Sequence, residues 1–202
     1  ERTPADERAP RWQLQIARGR AALGEPDAAV AALGDLAANY LEGSNWVSQQ
    51  SDPQLVADTR EMVERAIRVR AMRWHDLAQR EDQDRLFERA EELYGIYLEH
   101  FPEGDNSYDL RFYRAEILFH RLERYDEAGQ NYLLAAQQDP QGRYTRDSLY
   151  NAIGAFERVR EAQLQRCTQQ RAGGGAATPE PEPEVEEEPA EQGDDAEDAE
   201  EE

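Results

Sequence analysis

Apolar residues recur every three to four positions along nearly the whole chain up to about residue 170, and no stretch alternates convincingly over the length of a strand. That period predicts an all-α protein. Five short segments interrupt it: Gly24-Glu25-Pro26-Asp27, Ser51-Asp52-Pro53, Glu81-Asp82-Gln83-Asp84, Pro102-Glu103-Gly104-Asp105-Asn106 and Asp139-Pro140-Gln141-Gly142. Each carries the Gly, Pro, Asp or Asn that stops or caps a helix. The spacing between them predicts helices over residues 10–23, 27–41, 53–81, 84–100, 108–122, 126–138 and 145–170. At the third of these, either Asp52 or Ser51 can accept the orphan amides of the first turn, and Pro53 opens the helix without losing a hydrogen bond. The 53–81 segment runs either as one helix of about 45 Å at 1.5 Å per residue or as two pieces meeting near Arg70. Short links force consecutive helices into antiparallel hairpins.

Hairpins overlaid as units of 34 residues share a pattern. The unit at about 109–142 carries Phe112, Ala115, Phe119, Ala128, Tyr132, Ala135 and Pro140; the unit at about 71–104 carries Trp74, Leu77, Ala78, Ala90, Tyr94, Tyr97 and Pro102. Small residues let two helices approach, large ones fill the groove between hairpins, and proline ends the second helix. Four extra residues, Asp105 to Tyr108, separate the two units. A degenerate first unit at about 10–43 keeps Ala17, Ala29, Leu33 and Leu36. A last half-unit is expected when Ala152 is set against Ala115, which places Leu149 against Phe112 and Phe156 against Phe119 and lacks a second helix.

This pattern resembles the tetratricopeptide repeat, over about Ala71 to Val159. Glu116 stands where the family usually has glycine, Glu81 where it has an aromatic, and Tyr97 where it has a small residue. The resemblance implies an antiparallel helix-hairpin solenoid whose first helices line a concave, protein-binding groove. Carried over residue by residue, that groove takes Met72, His75, Gln79, Asp82 and Gln83 from one unit. It takes Leu110, Tyr113, Ile117, His120 and Arg121 from the next, and Asp147, Tyr150, Gly154, Glu157 and Arg158 from the last. Tyr and Arg dominate many binding surfaces, which singles out Tyr113, Arg121, Tyr150 and Arg158, with His75, Gln79 and Ile117 beside them. The two tyrosines either face a partner or pack on the adjacent helix. The family's carboxylate clamp is not matched, because His75 and Gln79 occupy two of its positions and the chain has no lysine. Tyr-Leu-Glu-His-Phe-Pro (97–102), Arg-Tyr-Asp-Glu-Ala (124–128) and Asp-Pro-Gln-Gly-Arg-Tyr (139–144) are similar to phrases in bacterial envelope repeat proteins. Those are the Tol-Pal coordinator, the barrel-assembly lipoprotein and gliding-motility components. That similarity implies a periplasmic or envelope adaptor.

Charge divides the chain in two. The formal net charge is −21 over 202 residues. Residues 173–202 hold 14 Asp and Glu and no basic residue, and Val185 is their single aliphatic side chain larger than alanine. Such a segment cannot bury enough surface to offset its ordering entropy. It is expected to be a disordered acidic Pro/Glu-rich tail or linker beginning at residue 173, after a helical repeat domain over residues 1–172. The remainder sets 30 acids against 23 arginines. That mildly acidic balance argues against sequence-independent nucleic-acid binding, because phosphate neutralisation needs a basic face. The chain opens on Glu1 and is read as a mature or excised fragment. No apolar run is long enough to span a bilayer.

Candidate chemistry is sparse. His75, His100 and His120 lie far apart, with no metal-ligand spacing. Gly173-Gly174-Gly175 lacks the downstream lysine of a phosphate loop and reads as a flexible joint. Cys167 has no second cysteine to pair with. Ser44, Ser48, Ser51, Ser107 and Ser148 sit at expected helix ends or loops, where capping is the ordinary role. No cofactor, metal or catalytic set is expected. The expected function is a non-enzymatic scaffold or adaptor that binds a protein or peptide segment in its groove. The alternative is a structural module that braces a neighbouring domain of a longer protein without a free peptide ligand.

Overall fold

The computed structural model describes residues 6–173, so the expected tail beyond Gly173 lies outside the described residues. Within them the chain is all-helical: α1 (Ala9–Ala22), α2 (Pro26–Tyr40), α3 (Asn45–Ser48), α4 (Pro53–Glu81), α5 (Asp84–His100), α6 (Ser107–His120), α7 (Tyr125–Gln138) and α8 (Thr145–Gly173). Proline stands at the start of α1, α2 and α4, where its missing N–H costs nothing. The carboxylate of Asp52, rather than the Ser51 hydroxyl, caps α4 by accepting from the Gln54 amide at 2.9 Å. Helix α4 runs unbroken through Arg70 for 29 residues and ends at Asp82, which takes the left-handed conformation (φ 51°) that Asp tolerates better than most residues. The single turn α3 was not legible in the periodicity. It exists because Ser44 caps the Val47 amide and Trp46 is buried, its indole donating to the Asp6 carbonyl at 3.1 Å.

Three antiparallel pairs carry the packing: α1 with α2, α4 with α5, and α6 with α7. In α4–α5, Glu64 meets Tyr97 (2.9 Å) while His75 meets Tyr94 (3.1 Å); in α6–α7, Arg111 meets Gln138 (3.0 Å) while Phe119 meets Tyr125. Neighbouring pairs run in the same sense. Glu64 accepts from Asn106 (3.2 Å) and Asp82 pairs with Arg121 (2.7 Å), which sets α6 parallel to α4. Tyr108 meets Thr145 (3.3 Å) and Glu116 accepts from Asn151 (3.1 Å), which sets α8 parallel to α6. Asp27 pairs with Arg89 at 2.7 Å, and Gly34 lies under Ile96, so α2 and α5 are likewise side by side.

The alanines that the 34-residue pattern picks out lie in the core. Ala78, Ala90, Ala115, Ala128 and Ala135 are fully buried, as are Tyr94, Tyr97 and Tyr132. Glu91 is a buried charge. Its Oε1 accepts from Nε and NH2 of Arg114 (2.9 and 2.8 Å) and its Oε2 from Arg124 (2.9 Å), joining α5, α6 and the α7 entrance. An unpaired carboxylate there would be strongly destabilising; two guanidinium forks satisfy it.

The connections repeat with a period of 38 residues. Gly104 N–H donates to the Phe101 carbonyl (3.2 Å) and Ser107 N–H to Gly104 (2.8 Å); Gly142 donates to Asp139 (3.0 Å) and Thr145 to Gly142 (3.2 Å). Three buried positions follow that register. Ser107, Leu110 and Ile117 on α6 are matched on α8 by Thr145, Ser148 and Ala155. Asn151, not Tyr150, therefore takes the place of Tyr113, one residue away from the alignment through Ala115 and Ala152. The backbone turn, which a side-chain pattern does not display, decides this.

Candidate functional site

Five of the residues marked out by the sequence meet along the seam between α4 and α6. His75 lies under the edge of Tyr94, Phe87 and Tyr113, with ring centroids 5.8, 6.0 and 6.0 Å away. With Gln79 donating to its Nε2 (3.2 Å), its proton sits on Nδ1 and is donated to the Tyr94 hydroxyl (3.1 Å). Burial holds the imidazole pKa below its ordinary 6.5, against a smaller opposite pull from Asp76. Tyr113 shares a hydrogen bond with the Tyr144 hydroxyl (3.0 Å), and Phe112 stacks face to face on the Tyr144 ring at 4.0 Å. Burial first, and the bond to Tyr144 second, push the Tyr113 phenol up to about 12. Arg121 lies 4.5 Å above the Phe87 ring and pairs with Asp82. Ile117 is 1% exposed and belongs to the core.

Most polar atoms of this seam are committed to one another, so it joins two hairpins. The remaining two residues lie elsewhere. Tyr150 is 77% exposed on α8, and Arg158 pairs along its own helix with Glu161 at 3.8 Å. No contact among the described residues links either to Tyr113 or Arg121.

A cleft of about 510 Å³ opens instead between α1 and the first two-thirds of α4. Leu14 and Ala17 of α1, Leu33 of α2, and Met62, Ala66 and Val69 of α4 give it an apolar lining. Val69 is half exposed at its edge. Arg18 of α1 and Arg65, Arg70 and Arg73 of α4 also line it, with Asp58 and Glu61 toward the start of α4. No ion pair among the described residues involves any of these four arginines, whereas most arginines elsewhere in the fold have an acidic partner. Arg70 lies 5.4 Å above the Trp74 ring. Its pKa is lowered, chiefly by burial and then by Arg73 and Arg18. Like charges thus converge at an apolar surface, and that arrangement favours a bound anion. The sequence holds a faint trace of it in the run Arg68-Val69-Arg70-Ala71-Met72-Arg73 and the spacing of Arg65, Val69 and Arg73 along one side of a helix. The contribution of Arg18, some fifty positions away, depends on how α1 meets α4.

Among the described residues no group of His, Cys, Asp and Glu could hold a metal ion, and no helix is long and apolar enough to cross a membrane. Comparison of the chain with protein-family models, with curated proteins and with solved structures finds no match.

Proposed function

We propose that this protein is a non-enzymatic interaction scaffold, a tetratricopeptide-like solenoid of stacked hairpins. In this reading it captures a partner-protein segment that carries acidic side chains beside apolar ones, in the cleft between α1 and α4. The parallel course of α4, α6 and α8, the side-by-side placement of α2 and α5, and the buried alanines of each hairpin support the solenoid. One observation carries the binding reading: four arginines without acidic partners surround an apolar floor in a chain of net charge −21. Guanidinium forks pair bidentately with carboxylates, and partial desolvation strengthens that pairing. The apolar floor adds affinity that salt does not screen. An envelope assembly is the setting proposed, on the resemblance of the 97–102, 124–128 and 139–144 phrases alone.

The test is a fluorescence-anisotropy titration of the full chain with a labelled helical peptide bearing Glu and Leu on one face, beside the same peptide with Lys in place of Glu. The Glu peptide binds and weakens with added salt; the Lys peptide does not bind. Arg18→Ser with Arg73→Ser lowers affinity at least tenfold while the circular dichroism spectrum stays the same. Equal binding of the two peptides, or indifference to the double substitution, would instead favour a bracing module whose seams are internally satisfied.

A further inference from the structure

Helix α8 carries an apolar face that the rest of the fold buries one unit earlier. In the 38-residue register Tyr150 stands where Phe112 does and Ile153 where Ala115 does. Phe112 packs on Tyr132 of α7 with ring centroids 6.0 Å apart, and Ala115 is fully buried in a cluster with Ala128 and Tyr132. Tyr150 and Ile153 are 77% and 62% exposed, and Leu149 beside them 48%. The turn below repeats the point. One unit earlier, Gln138 at the end of α7 donates from Nε2 to the Pro102 carbonyl at 3.3 Å and to the Ser107 hydroxyl. In the last unit the corresponding wall, from Pro140 to Thr145, lines an open groove of about 420 Å³ with Leu149. Side wall and end wall of a helix seat are both present.

This seat is separate from the α1–α4 cleft, and no helix among the described residues covers it. Beyond Gly173 the sequence holds one aliphatic side chain larger than alanine, against the several that a packed second helix presents in each earlier pair. In a second copy, α8 presents the same uncovered stripe, with Tyr150, Ile153 and Leu164 each more than half exposed. We infer that a second copy of this chain fills the seat, α8 lying antiparallel on α8 about a two-fold axis near residues 158 and 159. An isologous contact requires a self-complementary face, and α8 has one. Tyr150, Ile153, Glu157, Arg160 and Leu164 follow one another at three- and four-residue spacing on one stripe. About that axis Glu157 opposes Arg160 of the second copy, and Ile153 opposes its exposed Leu164. Neither Glu157 nor Arg160 has an ion-pair partner among the described residues.

Sedimentation equilibrium of the full chain measures this directly. A dimer of twice the chain mass is expected, with Tyr150→Glu and Ile153→Glu each raising its dissociation constant tenfold or more at unchanged helicity. Glu157→Arg weakens the dimer, and adding Arg160→Glu in the same chain restores it, because reversing both charges recreates the pairs across the two-fold. A monomer at every concentration overturns the proposal and leaves the seat to a helix of another protein. A dimer indifferent to Ile153→Glu, or a charge-swapped chain that stays monomeric, overturns the α8–α8 geometry.

Discussion

Ser148 is the clearest single-residue imperfection. It is fully buried, takes the place that Leu110 holds one unit earlier, and its Oγ makes no hydrogen bond. A buried hydroxyl without a partner carries its desolvation cost uncompensated. Ser148→Ala removes that cost and improves helix propensity, so chemical denaturation should show about 1 kcal/mol of added stability. From sequence alone Ser148 reads as a helix-end cap, because nothing local shows that the fold buries it. His75 differs: the repeat pattern puts it on the groove face, whereas its burial comes from α5 and α6 together. A histidine pKa held below 6.5 by burial means the folded state disfavours the imidazolium. The associated stability is complete above about pH 6.5 and is lost as pH falls below it. Melting temperature should therefore decline between pH 7 and 5.5, and His75→Gln should flatten that decline.

At the scale of elements, α8 depends on a missing side chain. A Cβ at Gly129 of α7 would lie 2.7 Å from Cζ of Phe156, so the absence of one lets the ring sit directly on the α7 backbone. Gly129→Ala gains helix propensity in principle but overpacks this contact. The expected net loss is about 1–3 kcal/mol, read from urea unfolding, with Phe156→Leu in the same chain recovering part of it. Helix boundaries were well legible: α4 and α5 fall where punctuation predicts, and the other long helices begin within one residue of expectation. Caps, prolines and turn residues act locally, so the chain displays them. α3 was not legible, since one turn shows no period and its Trp46 is held by a contact with Asp6, 40 residues away.

Among the described residues the hairpins are joined mainly through neighbours, and the buried Glu91 carboxylate ties two of them. Glu91→Ala leaves Arg114 without its carboxylate while Arg124 keeps Glu127, and should cost about 1–3 kcal/mol. If the array behaves as a solenoid, the loss concentrates at one interface. Guanidinium unfolding followed at separate probes on α2 and α7 should then split into two transitions. A single coincident transition at both probes would argue against stacked, nearest-neighbour coupling.

The chain itself determines the helical period, the stops between helices, the antiparallel pairing that short links impose and the alanines that let paired helices approach. All of these arise from residues a few positions apart, or from links too short to permit another arrangement. Tertiary structure alone decides the one-residue register of α8, which rests on the backbone turn at 139–145. It also decides whether a given Tyr or Arg is available: Tyr113 and Arg121 are committed by Tyr144 and Asp82, while Tyr150 is exposed because no helix among the described residues covers it. The meeting of Arg18 with Arg65, Arg70 and Arg73 is of the same kind. Charge clusters made from distant helices depend on which faces the packing turns toward each other, and no local spacing encodes that.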